Sequence, residues 1–257
     1  MSIIRTIMIS VIIFSTLLSL SVLAAAGSET SPFSDIEISR WSFPWIVDCY
    51  QQGILKGYPN GEFRPEQYVT KAEVIQSLYN LYRDRIPKVI DLTSPIRDVS
   101  EDDWYYKSAV WGMERELCHV GYGPGGDMFG VWAYSFGPDG PAQRGNVAVM
   151  ALGRIADAIG IVLPEMEDRA TFHGGIDAAD LASFPDADHY YLKDRDGNLA
   201  ERRDLAPYIT RYIYGLADLG IVHGFEDGKF RPENPVTREQ WAKLLSAFVE
   251  KAAELAP

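Results

Sequence analysis

A segment of about twenty residues occurs twice in this chain and constrains its fold more than any other feature. The sequence GILKGYPNGEFRPEQYVTKAE begins at Gly53, and GIVHGFEDGKFRPENPVTREQ begins 167 positions later at Gly220. Self-similarity of this kind is typical of repeat proteins, in which each copy is one supersecondary unit and neighbouring copies share a core. The architecture is therefore interpreted repeat by repeat.

Each copy of the segment predicts a helix end, a tight turn and a helix start. Gly53 follows an amphipathic run, and a glycine in the left-handed conformation commonly ends a helix. Asn60-Gly61 is a tight-turn dipeptide flanked by short strand-like pieces. Thr70 and Glu73 have the spacing of a capping box, which opens a second helix. The counterparts in the later copy are Gly220, Asp227-Gly228, Thr237 and Gln240.

A basic residue stands at the start of the second helix in every copy. Lys71 and Arg238 occupy the first helical position, and Arg144 occupies the corresponding place in a less regular copy between them. The helix dipole disfavours a cation there by about 0.3–1 kcal/mol. Three such cations favour an anionic ligand. The structural alternative is a solvated charge, or an ion pair with an acid just upstream, namely Glu66, Asp139 or Glu233.

The chain divides into three copies of the unit, which we name copy one (residues 33–83), copy two (96–160) and copy three (184–250). Copy two has a loop enlarged by about nine residues, where an exposed Trp132 or Tyr134 would be able to stack on a sugar ring. Copy three contains about sixteen inserted residues. Its segment 194–198 is interpreted as a polar turn, because it lacks the glycine and glutamate positions of a calcium-binding EF-hand.

The amino terminus has the pattern of a secretory signal. Arg5 precedes an apolar run, and Ala24-Ala25-Ala26 fits a small-residue cleavage site. Residues 1–26 are therefore predicted to be a signal peptide of a secreted protein, with an uncleaved membrane anchor as the alternative. The formal net charge of −12 argues against a nucleic-acid partner, because binding phosphates requires a basic surface.

The sequence contains no motif for catalysis, metal binding or a cofactor. It has no HExxH zinc motif, no G-x-S-x-G nucleophile elbow and no phosphate loop, and no pair of acids is marked as general acid and base. Cys49 and Cys118 are interpreted either as a disulfide or as small buried hydrophobic residues. We therefore predict that the chain is not an enzyme and uses no cofactor or metal.

The recurring pattern resembles the S-layer homology family. It consists of F-x-D, an aromatic helix, G-I-x-x-G-[YF], a turn, F-x-P and T-[RK]-x-[EQ], and copies one and three contain nearly all of it. Copy two departs at Gln143, Gly145 and Asn146 and in its loop. The resemblance covers residues 33–250. It implies a mainly α fold, in which three helix-loop-helix repeats form a spindle-like bundle around a pseudo-threefold axis.

The resemblance also implies a ligand and its site. Family members hold a secondary cell-wall polysaccharide, often with pyruvylated amino sugars, in grooves between neighbouring repeats. A basic residue pairs with the ketal carboxylate, aspartates orient the repeat or bond sugar hydroxyls, aromatic residues supply apolar faces, and glycines let the backbone approach. The matching positions are, in that order, Lys71, Arg144 and Arg238; Asp35, Asp98 and Asp186; Trp41, Trp104 and Tyr208; and Gly57, Gly121 and Gly224.

Structural roles remain the alternative at these positions: the aspartates as helix caps, the aromatic residues as core and the glycines as turn residues. The function implied by the resemblance is non-catalytic anchoring at the cell-envelope surface through wall polysaccharide. One alternative is a structural envelope protein that self-assembles or binds peptidoglycan. An enzyme acting on wall glycan is a further alternative, for which the repeats leave almost no room.

Overall fold

The computed structural model describes residues 30–92, 95–117, 136–163, 184–187, 189–193, 199–204 and 207–255. In these ranges no helix has the length and apolar character needed to cross a membrane. Several sequence predictions fall outside the described residues: the signal peptide at 1–26, Cys118, Gly121, Trp132, Tyr134 and the polar turn at 194–198.

Helices dominate the described part of the chain. In chain order the elements are α1 (Phe43–Gln51), α2 (Lys71–Tyr82), α3 (Tyr106–Met113), a π-helix (Arg144–Val149), α4 (Met150–Ala158), β1 (His189–Lys193), β2 (Leu199–Asp204), α5 (Pro207–Asp218) and α6 (Arg238–Leu255). The prediction of a mainly α fold is confirmed.

The local signals of the repeated segment have the predicted geometry. Gly53 follows α1 with a φ of 70°, and the Gly61 N–H donates to the Tyr58 carbonyl at 3.0 Å to close the tight turn. Thr70 and Glu73 form both hydrogen bonds of the capping box. The residues beside the turn are not assigned to strands, so that part of the prediction is wrong. The counterparts behave alike: Gly220 has a φ of 73°, and Thr237 and Gln240 exchange bonds of 3.1 and 3.4 Å.

The helices of one copy pack mainly against helices of another. The pairs are α1 with α6, α3 with α2, and α5 with α4. Each pair therefore joins the first helix of one copy to the second helix of a different copy. Within the core, Trp241 on α6 is fully buried, and its indole N–H donates to the Ser77 hydroxyl on α2 at 3.0 Å.

Three backbone hydrogen bonds close a ring between the copies. Val69 donates to Val236, Val236 donates to Ala142, and Ala142 donates to Val69, each over 2.9 Å. These residues come just before the second helix of their own copies, and all three are buried. The ring brings the three helix starts, and the cations on them, to the same end of the helix bundle.

Copy three contains a β-hairpin that was not predicted from the sequence. Strands β1 and β2 pair antiparallel, from His189 opposite Asp204 to Lys193 opposite Leu199, with an irregularity near Lys193. The Asp196-Gly197 dipeptide between two extended runs is a hairpin signal. The sequence predicted only a polar turn there, within an insertion that has no counterpart in the other copies.

Cys49 is a free, fully buried cysteine at the contact between α1 and α6. Its thiol lies 3.5 Å from the Ala242 carbonyl, and burial raises its pKa to about 12. Of the two alternatives for this residue, the structure supports the small buried hydrophobe.

Candidate functional site

The three predicted aspartates hold a loop of their own copy. Both oxygens of the Asp35 carboxylate accept backbone N–H groups, from Phe63 and Arg64, at 2.7 Å each. Asp35 is not a helix cap, because α1 begins after Ser42. The helix-cap interpretation is therefore wrong. The counterparts do the same: Asp98 accepts from Phe136 and Gly137 at 2.7 Å, and Asp186 accepts from Phe230 and Arg231 at 2.7 and 2.9 Å.

The predicted glycines give room to an aromatic ring of their own copy. A Cβ on Gly57 would lie 2.4 Å from Cε1 of Phe33, and one on Gly224 would lie 2.6 Å from Cε1 of Phe184. Gly57 and Gly224 are therefore required by this close packing, whatever they do for a ligand. The third predicted glycine, Gly121, lies outside the described residues.

Two of the three predicted aromatic residues are exposed. Trp41 is 50% exposed and Trp104 is 64% exposed, so the interpretation as core is wrong for both. Each lies two residues before its helix, which removes it from the buried helical face. The Trp41 ring packs on Trp45, with the ring centroids 5.7 Å apart. Tyr208 lies in the first turn of α5, and its side chain is outside the described part.

Arg238, at the start of α6, is 4% exposed and inserted into copy one. Its Nε donates to the Phe63 carbonyl at 2.7 Å, its Nη2 to the Lys56 carbonyl at 2.9 Å and its Nη1 to Oε1 of Glu73. Its guanidinium also packs against two rings, Tyr58 at 4.8 Å and Phe63 at 4.7 Å. We call these surroundings the Arg238 cradle.

The cradle changes the interpretation of this cation. Arg238 does meet an anion, but that anion is the carboxylate of Glu73 in copy one. The upstream acid considered from the sequence, Glu233, is not the partner, because among the described residues the ion pair of Arg238 is with Glu73. A solvated charge is excluded by burial. The structural alternative of an internal ion pair is thus correct for Arg238, with a different acid.

An open groove of about 560 Å³ lies beside the Arg238 cradle. Its lining combines three copies of the repeat, and includes Gly57, Tyr58 and Glu73 of copy one, Trp104 of copy two and Arg238 of copy three. We call it the Arg238 groove. It brings together three of the predicted site residues, an exposed indole, a guanidinium and a backbone glycine.

Arg144 has similar surroundings between copies two and three. Its Nη2 donates to the His223 carbonyl, and its guanidinium lies 5.4 Å from the Phe225 ring and 4.6 Å from the Phe230 ring. We call these surroundings the Arg144 cradle. Burial without a counter-charge lowers the Arg144 pKa to about 10. In the described part of the chain, no carboxylate lies within ion-pair distance of Arg144.

Lys71 lies between copies one and two. A Cβ on Gly137 would be 3.2 Å from its Nζ, so the ammonium faces the backbone of copy two. The N–H groups that begin the three second helices are also bonded to the neighbouring copy: Lys71 to Gly140 at 3.0 Å, Arg144 to Asn234 at 2.8 Å and Arg238 to Gln67 at 2.8 Å. An anion would therefore meet the side chains of these cations rather than the helix N–H groups.

Sequence reasoning overlooked several residues around the cations. Tyr58, Glu73 and Gln76 line the Arg238 groove, but only Glu73 was singled out, as a capping residue. Their counterparts 167 positions later are Phe225, Gln240 and Lys243, so the repeat spacing was a signal that could have found them. Among the described residues, no cluster of His, Cys, Asp and Glu side chains is positioned to hold a metal ion.

Comparison with known proteins agrees with the repeated pattern. The S-layer homology domain model matches residues 32–75 and 204–242, in copies one and three. An endoglucanase of Bacillus sp. (strain KSM-635) is 26% identical over 88% of this chain and 19% of its own length. Two Acetivibrio thermocellus proteins are also similar. Cell surface glycoprotein 1 is 24% identical over 81% of the chain, and a cellulosome-anchoring protein is 28% identical over 37%.

The chain spans only a small part of these relatives, 8% of the cell surface glycoprotein and 22% of the cellulosome-anchoring protein. The similarity is therefore confined to a module within much longer proteins. The segments that the domain model matches lie in copies one and three, which contain nearly all of the repeated sequence pattern. In these copies Asp35 and Asp186 bond their loops in the same way. The chain therefore contains two segments that match the S-layer homology domain, at residues 32–75 and 204–242.

Proposed function

We propose that this chain is a secreted, non-catalytic module that anchors at the cell-envelope surface by binding a cell-wall polysaccharide. The two matches to the S-layer homology domain support an anchoring role, as do relatives whose names describe a cell surface glycoprotein and a cellulosome-anchoring protein. The polysaccharide would lie in grooves between neighbouring copies. The preferred ligand carries pyruvylated amino sugars, whose carboxylates pair with cations at the helix starts.

The proposed arrangement has three repeats, at residues 33–83, 96–160 and 184–250, around a pseudo-threefold axis. The ring of bonds through Val69, Ala142 and Val236 supports it, because each residue has the same place in its own copy. The helix pairs support it too, since each joins the first helix of one copy to the second helix of another. Copy two is counted as a repeat because it takes part in this ring and these helix pairs. Its Asp98 also accepts two backbone N–H groups, as Asp35 does in copy one.

The observation that carries the proposal is the Arg238 groove. Trp104 is a large apolar side chain left 64% exposed beside a groove that also contains a buried guanidinium and polar side chains. An aromatic face next to fixed hydrogen-bonding groups suits a sugar ring, which has an apolar face and polar edges. The groove is open and lies between copies, so it can accept part of a long polymer.

The first test is calorimetric titration of the full chain with purified wall polysaccharide, before and after chemical removal of its pyruvyl groups. We expect binding that is lost when the pyruvate is removed. Binding that is indifferent to pyruvate would overturn the acidic-sugar specificity and favour the structural alternative, a peptidoglycan-binding or self-assembling envelope protein. Hydrolysis of the glycan by the purified chain would contradict the non-catalytic assignment.

A second test replaces the exposed indole. Trp104→Ala is expected to weaken polysaccharide binding about tenfold, since a central Trp typically contributes 1–2 kcal/mol or more. The matched control is Tyr68→Ala, because Tyr68 is similarly exposed, at 53%, and does not line the Arg238 groove. Equal affinities of the two variants would argue against this groove as the binding site.

A further inference from the structure

The Arg144 and Arg238 cradles are built from equivalent residues. Arg238 donates to the Lys56 carbonyl, and Arg144 donates to the carbonyl of His223, which is the counterpart of Lys56. The rings also correspond, since Tyr58 and Phe63 around Arg238 have Phe225 and Phe230 as counterparts around Arg144. The two cations therefore share an equivalent carbonyl acceptor and two equivalent rings, and they differ in the other groups around the guanidinium.

The main difference is a carboxylate. In the Arg238 cradle, Oε1 of Glu73 accepts from Arg238 and from the Tyr58 hydroxyl at 3.0 Å, while Oε2 accepts the Thr70 N–H at 2.9 Å. The counterpart of Glu73 is Gln240, whose Oε1 accepts the Thr237 N–H at 3.1 Å. Tyr58, which bonds the carboxylate, is also replaced in the later copy, by Phe225. The later copy has lost both the acid and the hydroxyl that holds it.

The two guanidinium groups differ in the donors that remain. Counting only bonds to described residues, Arg238 uses three of the five N–H donors of an arginine, on the Phe63 and Lys56 carbonyls and on Glu73. Arg144 uses one, on His223, and its buried Nε has no hydrogen-bond partner among the described residues. Burial without an opposite charge also lowers the Arg144 pKa. A desolvated cation with unused donors is favourable for an entering carboxylate.

A second cation accompanies the Arg144 cradle. Gln76, which lines the Arg238 groove with Trp104, has Lys243 as its counterpart in copy three. The Lys243 ammonium lies 6.0 Å from the ring of Trp41, which is the counterpart of Trp104. By equivalence with the Arg238 groove, we expect the Arg144 side to combine the exposed Trp41 indole with Lys243, where the Arg238 groove has an indole with a neutral amide.

We propose that the Arg144 cradle, with Lys243 beside it, takes the acidic group of the polysaccharide, and that the Arg238 groove takes an uncharged, hydroxyl-bearing part of it. The residue pair Gln240 and Glu73 determines this difference in specificity. The inference rests on the proposed polysaccharide binding. Its physical basis is that an acid entering the Arg238 groove meets the Glu73 carboxylate, whereas Gln240 presents no charge.

The test uses two probes and a background that isolates these two sites. The acidic probe is the methyl glycoside of an amino sugar carrying a pyruvyl ketal, and the neutral probe is the same glycoside without the ketal. All variants carry Lys71→Gln, so that the third helix-start cation does not contribute. Affinities of the full-length chain for both probes are measured by calorimetry, and the ratio of acidic to neutral affinity is compared.

Gln240→Glu is the decisive variant. Glutamate preserves the capping bond to Thr237, as Glu73 does in copy one, so the start of α6 remains intact. By equivalence with Glu73 beside Arg238, we expect the new carboxylate beside Arg144, and the acidic-to-neutral affinity ratio should fall about tenfold or more. Lys251→Gln changes the net charge by the same amount near the other end of α6, and should leave the ratio unchanged.

The reciprocal variant is Glu73→Gln, which should add one binding site for the acidic probe by freeing Arg238. An unchanged affinity ratio in Gln240→Glu, with acidic binding retained, would overturn this inference and leave the proposed function standing. Failure of both probes and of the wall polysaccharide to bind the unmodified chain would overturn the proposed function itself, and this inference with it.

Discussion

Copies one and two each have a left-handed backbone conformation at two equivalent positions. Glycine occupies the first of these positions in copy one and the second in copy two. In copy one the first position is Gly53, with a φ of 70°, and the second is Arg64, with a φ of 60°. In copy two the first is Glu116, with a φ of 55°, and the second is Gly137, with a φ of 64°. Copy three follows copy one, with Gly220 and Arg231. The backbone path is therefore common to all copies, whereas the glycine is not.

Contacts explain why the second position tolerates arginine. The backbone N–H groups of Phe63 and Arg64 are held by Asp35, and the Arg64 side chain lies over the Tyr58 ring at 4.1 Å. A left-handed conformation costs a non-glycine residue about 1–2 kcal/mol, which such contacts can offset. The two hydrogen bonds that the aspartate accepts, rather than a glycine, therefore define this loop.

The largest expected effect on stability comes from removing the helix-start arginine of copy three, compared with that of copy two. Arg238→Ala should lower the free energy of unfolding by about 3–5 kcal/mol, because it leaves Glu73 without its charged partner in a mostly buried site. Arg144→Ala should cost about 1 kcal/mol, because it loses one hydrogen bond and ring contacts but strands no acid. Equilibrium urea unfolding of the full chain measures both.

The matched control for Arg238→Ala is the double variant with Glu73→Gln, which removes the stranded charge. We expect it to recover part of the lost stability while retaining the capping bond to Thr70. Similar losses for Arg238→Ala and Arg144→Ala would show that the two cradles are energetically alike, and would remove the distinction between a structural and a ligand-binding arginine.

Much of the local structure was predictable from sequence, because its causes lie within a few residues. The capping box of Thr70 and Glu73, the left-handed Gly53 and the turn at Gly61 depend on near neighbours. The partner of Arg238 was not predictable, since Glu73 is 165 positions away and belongs to another copy. The upstream acids were considered because they are close in sequence, not in space.

The candidate site was predictable only as a set of residue types. The repeat pattern identified Trp104 and Arg238, and the structure places both at one groove. It did not indicate that Trp104 is exposed and Arg238 buried, because exposure depends on how a third copy packs. The roles of Asp35 and Gly57 were also hidden, since the loop and the Phe33 ring that they contact are brought together only by folding.

The next effect concerns the second-helix start of copy two, which is a π-helix rather than a capped α-helix. A Cβ on Gly145 would lie 2.6 Å from Cβ of Pro232, and its N–H donates to the Pro232 carbonyl at 2.8 Å. Gly145→Ala should therefore destabilise the chain by about 1–3 kcal/mol through overpacking, measured by urea unfolding. Copy one has Ala72 at this place without such a requirement.

The exchange Ala72→Gly serves as the control for Gly145→Ala. It should cost about 1 kcal/mol, but through the lower helix propensity of glycine in α2 and not through a clash. If Gly145→Ala is neutral, Pro232 moves away without cost, and the close contact between copies two and three does not account for the glycine.

The smallest expected effect tests the first left-handed position directly. Glu116→Gly gives copy two the residue that copies one and three have there, and removes about 1–2 kcal/mol of backbone strain. Glycine also increases the entropy of the unfolded chain, which costs about 0.4–1 kcal/mol, and the exposed pair with Arg154 contributes little. The net expectation is a stabilisation of about 0.5 kcal/mol.

Gly53→Ala, with the same conformation and no atom within 4 Å of the new Cβ, should destabilise by about 1 kcal/mol. Opposite signs for the two variants would show that backbone strain alone distinguishes the copies here, whereas a loss of stability in Glu116→Gly would mean that the Arg154 pair outweighs it.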